Sequence, residues 1–274
     1  MEGPLIHIGY HKTGTTWLQQ FLFRPSLGYE PLVPPSERPQ FGQSFIYPSE
    51  LTWNAKMERL SYTACVAEIR QKGLVPVLSA ERLSGAFQAG GYDSAMIARR
   101  LREVFPEGKV LIVIREQASM ILSSYVQYVR AGGARTLRAY FQQSRRAPGF
   151  IPGFSLEHFQ YDRLITYYQS LFGKERVLVL TYEAFRENPV SFVESIQHFS
   201  GLPSSLDKDL PMGKKVNRAY GPFTLFWKRQ YNRLFIDSSL NPGVWLPLPN
   251  GVERRVVLFL QAIEKVLPDG WKNR

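Results

Sequence analysis

With 274 residues, 44% of them apolar and 14% aromatic, the chain can bury one sizeable core and lies outside the composition of disordered proteins. Its 34 Lys and Arg against 23 Asp and Glu leave a net charge of +11, which favours anionic partners: phosphorylated nucleotides, acidic glycans, nucleic acid or an anionic membrane surface. Cys65 is the one cysteine, which excludes an internal disulfide and a zinc site built from several thiolates.

The chain runs directly into Pro4-Leu5-Ile6-His7-Ile8-Gly9, with no charged leader or cleavage site, and no apolar run approaches the ~18 residues of a membrane span. A soluble, cytoplasmic protein is expected, with peripheral membrane contact left open. Short β-branched runs then alternate with stretches of helical spacing, the pattern of an α/β protein with a central parallel sheet flanked by helices. Strands are expected at 5–9, 74–79, 109–114 and 176–181, apolar at nearly every position as strands buried on both faces are. Helices are expected at 14–23, 53–71, 94–105, 117–130, 156–172, 189–200 and 252–266. Residues 25–48 hold six prolines and read as a loop, as do 145–154 and 241–251. One domain over residues 1–274 is the expectation.

The strongest motif is Ile8-Gly9-Tyr10-His11-Lys12-Thr13-Gly14-Thr15-Thr16-Trp17-Leu18. A strand enters it and an apolar helix leaves it, so backbone N–H groups and the positive helix end point at an anion. The spacing is that of a phosphate loop: Gly, four residues, Gly. An ATP-binding loop carries Lys directly after the second Gly. Here Thr15 stands there and the lysine has moved inside, to Lys12. No strand ends in an Asp to help hold Mg²⁺, on which γ-phosphate transfer relies. A sulfonate carries one negative charge, and its transfer can proceed with a lysine and backbone donors.

Lys12-Thr13-Gly14-Thr15-Thr16-Trp17 resembles the 5'-phosphosulfate loop of sulfotransferases that use 3'-phosphoadenosine-5'-phosphosulfate (PAPS), which implies a three-layer P-loop-type fold. The resemblance implies that Lys12 contacts the bridging oxygen and stabilises charge on the leaving nucleotide. It also implies that Thr13, Gly14, Thr15 and Thr16 hold the 5'-phosphate and that Trp17 lies against the adenine; a core anchor of the first helix is the alternative for Trp17. Val110-Leu111-Ile112-Val113-Ile114-Arg115, with Ser123 eight residues later, resembles the family's 3'-phosphate element. There the guanidinium forks onto a phosphate and the hydroxyl adds a hydrogen bond. Thr181-Tyr182-Glu183 resembles the turn whose Tyr approaches the adenine, with plain packing as the other reading. Lys215 and Arg218, in Lys214-Lys215-Val216-Asn217-Arg218, stand where the family brings a late basic loop over the 3'-phosphate. A solvated charge run explains them equally.

Transfer to a hydroxyl or amine needs a proton acceptor. Pro76-Val77-Leu78-Ser79-Ala80-Glu81-Arg82-Leu83 places Glu81 just past a buried strand, where the ligand crevice of a parallel sheet lies. Glutamate bases appear in glycan-modifying members of the family, which points to a glycan or glycolipid acceptor. The alternative is a structural ion pair of Glu81 with Arg82 or Arg115. His7, His11, His158 and His198 are the competing bases, with His11 read as a second cation beside Lys12. The expected reaction is in-line transfer of a sulfonate from PAPS, with no metal and no nucleic-acid partner. Two other classes stay in view: a small-molecule kinase using ATP and Mg²⁺, and a non-catalytic polyanion-binding protein.

Overall fold

The computed structural model describes residues 3–34, 39–142, 152–204, 210–211, 220–236, 240 and 251–267. The chain divides into two compact units, Met1–Gln117 with Leu156–Val216, and Ala118–Ser155 with Asn217–Arg274. No helix among the described residues is long and apolar enough to cross a membrane.

The first unit is built on five parallel strands: β1 Leu5–His7, β2 Tyr29–Pro31, β3 Val75–Ser79, β4 Lys109–Ile114 and β5 Val177–Thr181, in the order β2-β3-β1-β4-β5. The register pairs His7 with Ser79 and with Leu111, so β1 and β3 end level while β4 runs three residues further. Side chains alternate between the two faces. Leu5, Val75, Val77, Leu111 and Val113 meet Trp17, Leu18 and Leu22 of the first helical segment and Phe192, Val193 and Ile196 of α9 Pro189–Ser200 in one buried cluster. The helices α3 Ala55–Gln71, α4 Ser94–Val104 and α7 Tyr161–Phe172 pack on one another and on the strands, α3 against β3 and α7 against β4 and β5. A parallel sheet lined by helices is the expected α/β architecture.

Helix starts follow their capping chemistry. Asn54 accepts from the N–H groups of Lys56 and Met57 at the head of α3, and Asn188 caps α9 in front of Pro189. Two expectations need correction. Residues 25–48 are not one loop: they hold β2 and the short helix α2 Pro39–Phe45. Pro31 is tolerated in β2 because that strand is at the sheet edge, where a missing N–H breaks no ladder on the outer side. The helix expected at 14–23 is a single α-turn, α1 Thr15–Trp17, widening into a π-helical segment, Leu18–Leu22, closed by the Phe23 N–H on the Leu18 carbonyl. The stretch at 156–172 breaks at Gln160 into a 3₁₀ turn and α7. The short helix α8 Tyr182–Glu187 occupies the expected Tyr-Glu turn.

The second unit carries α5 Gln117–Arg130 from Ala118 onward, α6 Leu137–Phe141, α10 Pro222–Phe235 and α11 Val252–Val266. Tyr125, Tyr128, Tyr140 and Phe154 form its aromatic cluster. Buried Asn232 donates to the carbonyls of Val129 and Gly133, tying α10 to the end of α5. The expected loops at 145–154 and 241–251 lie largely outside the described residues.

Candidate active site

The segment between β1 and α1 continues the sheet before it turns away: the Ile8 and Tyr10 N–H groups donate to the carbonyls of Leu111 and Val113. Thr13 then folds its hydroxyl back onto the Tyr10 carbonyl at 2.5 Å. Gly14 turns the chain with φ +89°, a left-handed conformation that costs a Cβ-bearing residue about 1–2 kcal/mol. Gly9 is glycine for a different reason, since a Cβ there would stand 2.6 Å from the buried His7 ring. Lys12 is the one non-glycine residue with positive φ, +66°, among the described residues. Such strain gathers where function holds the backbone. The first N–H groups of α1 have no acceptor one turn back, and the Thr15 hydroxyl is buried without a partner. A loop of this kind fits a phosphate.

Arg115 leaves the end of β4 toward the same loop, its Nη1 donating to the Lys12 carbonyl at 3.4 Å. Its guanidinium lies over the Tyr182 ring, 5.2 Å from the centroid, while its Nε is buried without a partner. Thr181 caps α8, and Glu183 accepts from the Glu116 N–H, so α8 is tied to the end of β4. Tyr182 and Phe185 close over Gly14, each within 3.7 Å of where its Cβ would be. Trp17 is 3% exposed, packed against Phe21 and Phe185, and donates its indole N–H to the Pro211 carbonyl. That is the packing of a core anchor, and little of the indole is left open to meet an adenine.

Glu81 opens a 3₁₀ turn directly after β3. Its carboxylate lies 3.9 Å from His11 Nε2. Arg82 does not pair with it: that guanidinium is bound to the buried Asp93 carboxylate, which also accepts from the Ala86 N–H. Burial raises the Glu81 carboxyl above its ordinary value, opposed by the nearby charge of Lys12. His11 is no second cation. Its ring packs on Phe87, and burial first, with His158, Lys12 and Arg82 adding to it, lowers its pKa to about 3. His158, one of the competing bases, is buried against Tyr10 and held at about 4, chiefly by burial. His7 is fully buried at about 3, bonded through Nδ1 to Ser79, which Gln19 of the π-helical segment also contacts.

A loop fitted to a phosphate, an arginine at its rim and a proton-hungry carboxylate facing a lysine meet at the carboxyl ends of β1, β3 and β4. The chain matches the sulfotransferase domain family over residues 3–218. It belongs to the sulfotransferase family. It is similar to the human bifunctional heparan sulfate N-deacetylase/N-sulfotransferase 2, 26% identical over 216 aligned residues, with 73% of this chain and 22% of the relative covered. The chain thus spans about a fifth of the length of that curated relative. Among solved structures, a sulfotransferase from Alicyclobacillus acidocaldarius superposes with a TM-score of 0.53 at 20% identity, covering 79% of this chain and 87% of the other, a likeness of fold. Sulfotransferases of this family use PAPS as donor.

Of the residues singled out in the sequence of this sulfotransferase, Lys12, Thr13, Gly14, Thr15, Thr16, Trp17, Arg115 and Tyr182 lie in the loop and the elements against it, and Glu81 faces it. Ser123 is half-buried two turns into α5, on the second unit. Lys215 and Arg218 lie outside the described residues. Sequence reasoning missed Phe185, Phe87 and the Arg82–Asp93 pair. Phe185 had a readable signal, standing one helical turn after Tyr182; Asp93, eleven residues from its partner, had none.

Proposed function

We propose that this chain transfers a sulfonate group from PAPS to a hydroxyl or amine of an acceptor by in-line displacement, acting as one sulfotransferase domain. PAPS, when bound, supplies the sulfonate and departs as adenosine 3',5'-bisphosphate. Glu81 takes the acceptor proton as the acceptor oxygen or nitrogen bonds to sulfur. Lys12 stabilises the negative charge gained by the 5'-phosphate oxygen as its bond to sulfur breaks. Gly14, Thr15 and Thr16 hold the 5'-phosphate through the loop and the start of α1, and Arg115 receives the 3'-phosphate. Tyr182, fixed under Arg115, borders the adenine. No metal is needed, because Lys12 and backbone donors match the single charge of a sulfonate. The heparan sulfate N-sulfotransferase activity named for the human relative supports a glycan acceptor.

The observation that carries this reading is the Glu81 carboxylate at the end of β3, raised in proton affinity by burial yet within the field of Lys12. It is tested with Glu81→Gln and radiolabelled PAPS. Turnover is expected to fall about 10²–10⁴-fold with binding of adenosine 3',5'-bisphosphate retained. The acid limb of the wild-type rate profile is expected above the ordinary carboxylate range, since only ionised Glu81 accepts a proton. A variant with near-normal kcat removes Glu81 from the mechanism.

A further inference from the structure

The last two helices of the second unit expose what a water-facing helix normally buries. On α11 the outward positions recur at one stripe along its whole length, and they hold Leu258, Phe259 and Val266, which are 57%, 65% and 82% exposed. Between and beside them on the same stripe stand Arg254, Arg255 and Lys265, all exposed. On α10 the outward residues include Phe226 and Trp227, 49% and 47% exposed, and Leu234 with Arg233.

Both acids of α11 are engaged by α10, although the Glu253 side chain stays 43% exposed. Glu253 pairs with Lys228 Nζ at 2.7 Å, and that lysine is fully buried. The Glu264 carboxylate accepts from the N–H groups of Phe223 and Thr224 and from the Thr224 hydroxyl at 2.6 Å, capping α10. With both acids paired to α10, the outward stripe of α11 carries large apolar side chains and positive charge without an acid. Both are out of place against water.

We propose that the outward stripe of α11 seats on an anionic lipid surface. Apolar side chains entering the headgroup boundary beside Arg and Lys that meet lipid phosphates are what an interfacial helix presents. Trp227 and Phe226 are the half-exposed aromatics that such a boundary takes up. A soluble polyanion would match the cations and leave Leu258, Phe259 and Val266 in water. A second copy packed about a two-fold axis would set Arg254 and Arg255 against like charges. The stripe is made of residues other than those assigned to catalysis, so the inference stands independently of the proposed reaction.

The test is co-sedimentation of the full chain, without donor or acceptor, with vesicles of equimolar phosphatidylglycerol and phosphatidylcholine, against vesicles of phosphatidylcholine alone. Binding is expected to the anionic vesicles only and to weaken with salt. The exposed-site variants Leu258→Glu/Phe259→Glu and Arg254→Glu/Arg255→Glu should each lower the partition about tenfold or more. Both should keep the wild-type melting temperature and affinity for adenosine 3',5'-bisphosphate. Absence of wild-type binding, or unchanged binding by both variants, overturns the proposal. So does a wild-type dimer in light scattering that Leu258→Glu/Phe259→Glu dissolves, or capture by soluble heparin that this variant leaves intact while vesicle binding is absent.

Discussion

Lys12 holds a left-handed backbone that lysine adopts at a cost, in the loop where the proposed chemistry needs an amine. Glycine takes that conformation freely and alanine does not. Lys12→Gly is therefore expected to be more stable than Lys12→Ala by about 1 kcal/mol, while both lose kcat far more than affinity for adenosine 3',5'-bisphosphate. Denaturant melts and single-turnover rates check the pair, and equal losses in kcat and affinity mean that Lys12 only binds. Residue types were legible here because a lysine inside a Gly-x₄-Gly loop is an unusual place for it. Protonation was not. His11 reads as a second cation from its neighbour Lys12, and only the ring of Phe87 and the burial around it show a neutral imidazole beside Glu81.

At the scale of elements, the loop works because it is braced from two sides. The Tyr10 N–H holds its start to β4, and Phe185 with Tyr182 closes over Gly14. A Cβ at Gly14 finds ordinary contact distances of 3.6–3.7 Å, so its cost is backbone strain and not collision. Gly14→Ala is expected to lose about 1–2 kcal/mol of stability and to weaken donor binding, read by thermal melts and nucleotide titration. A loss of several kcal/mol would point instead to a clash in the packing. The long strands β3, β4 and β5 were legible as apolar runs, and α9 as an Asn-Pro start followed by helical spacing. β2 was hidden because three residues ending in Pro31 carry no run, and only an open edge beside β3 makes them a strand. The π-helical segment was hidden because apolar residues at 18 and 22 serve either winding. α10 was hidden because aromatic and basic residues are interleaved along it and blur the stripe that buried Thr224, Lys228, Tyr231 and Asn232 define.

The molecule as a whole carries three histidines, His7, His11 and His158, that burial holds at about 3, 3 and 4. The unfolded chain takes up their protons near 6.5 and the folded chain does not. Their contribution to stability is therefore complete above pH ~6.5 and lost as pH falls below it. Between pH ~7 and ~5 each should cost about 1–2 kcal/mol, seen as a falling melting temperature well above the range of ordinary carboxylates. Glu81 acts in the opposite sense, since its raised proton affinity favours the fold as pH falls. A melting temperature flat from pH ~7 to ~5 would contradict this burial. A crevice that grips adenosine through two separate phosphate groups should take up adenosine 3',5'-bisphosphate in a calorimetric titration. One saturable site is expected, from which ATP with Mg²⁺ does not displace the nucleotide and which Arg115→Ala weakens about tenfold or more. No heat of binding, or full displacement by ATP with Mg²⁺, would contradict it.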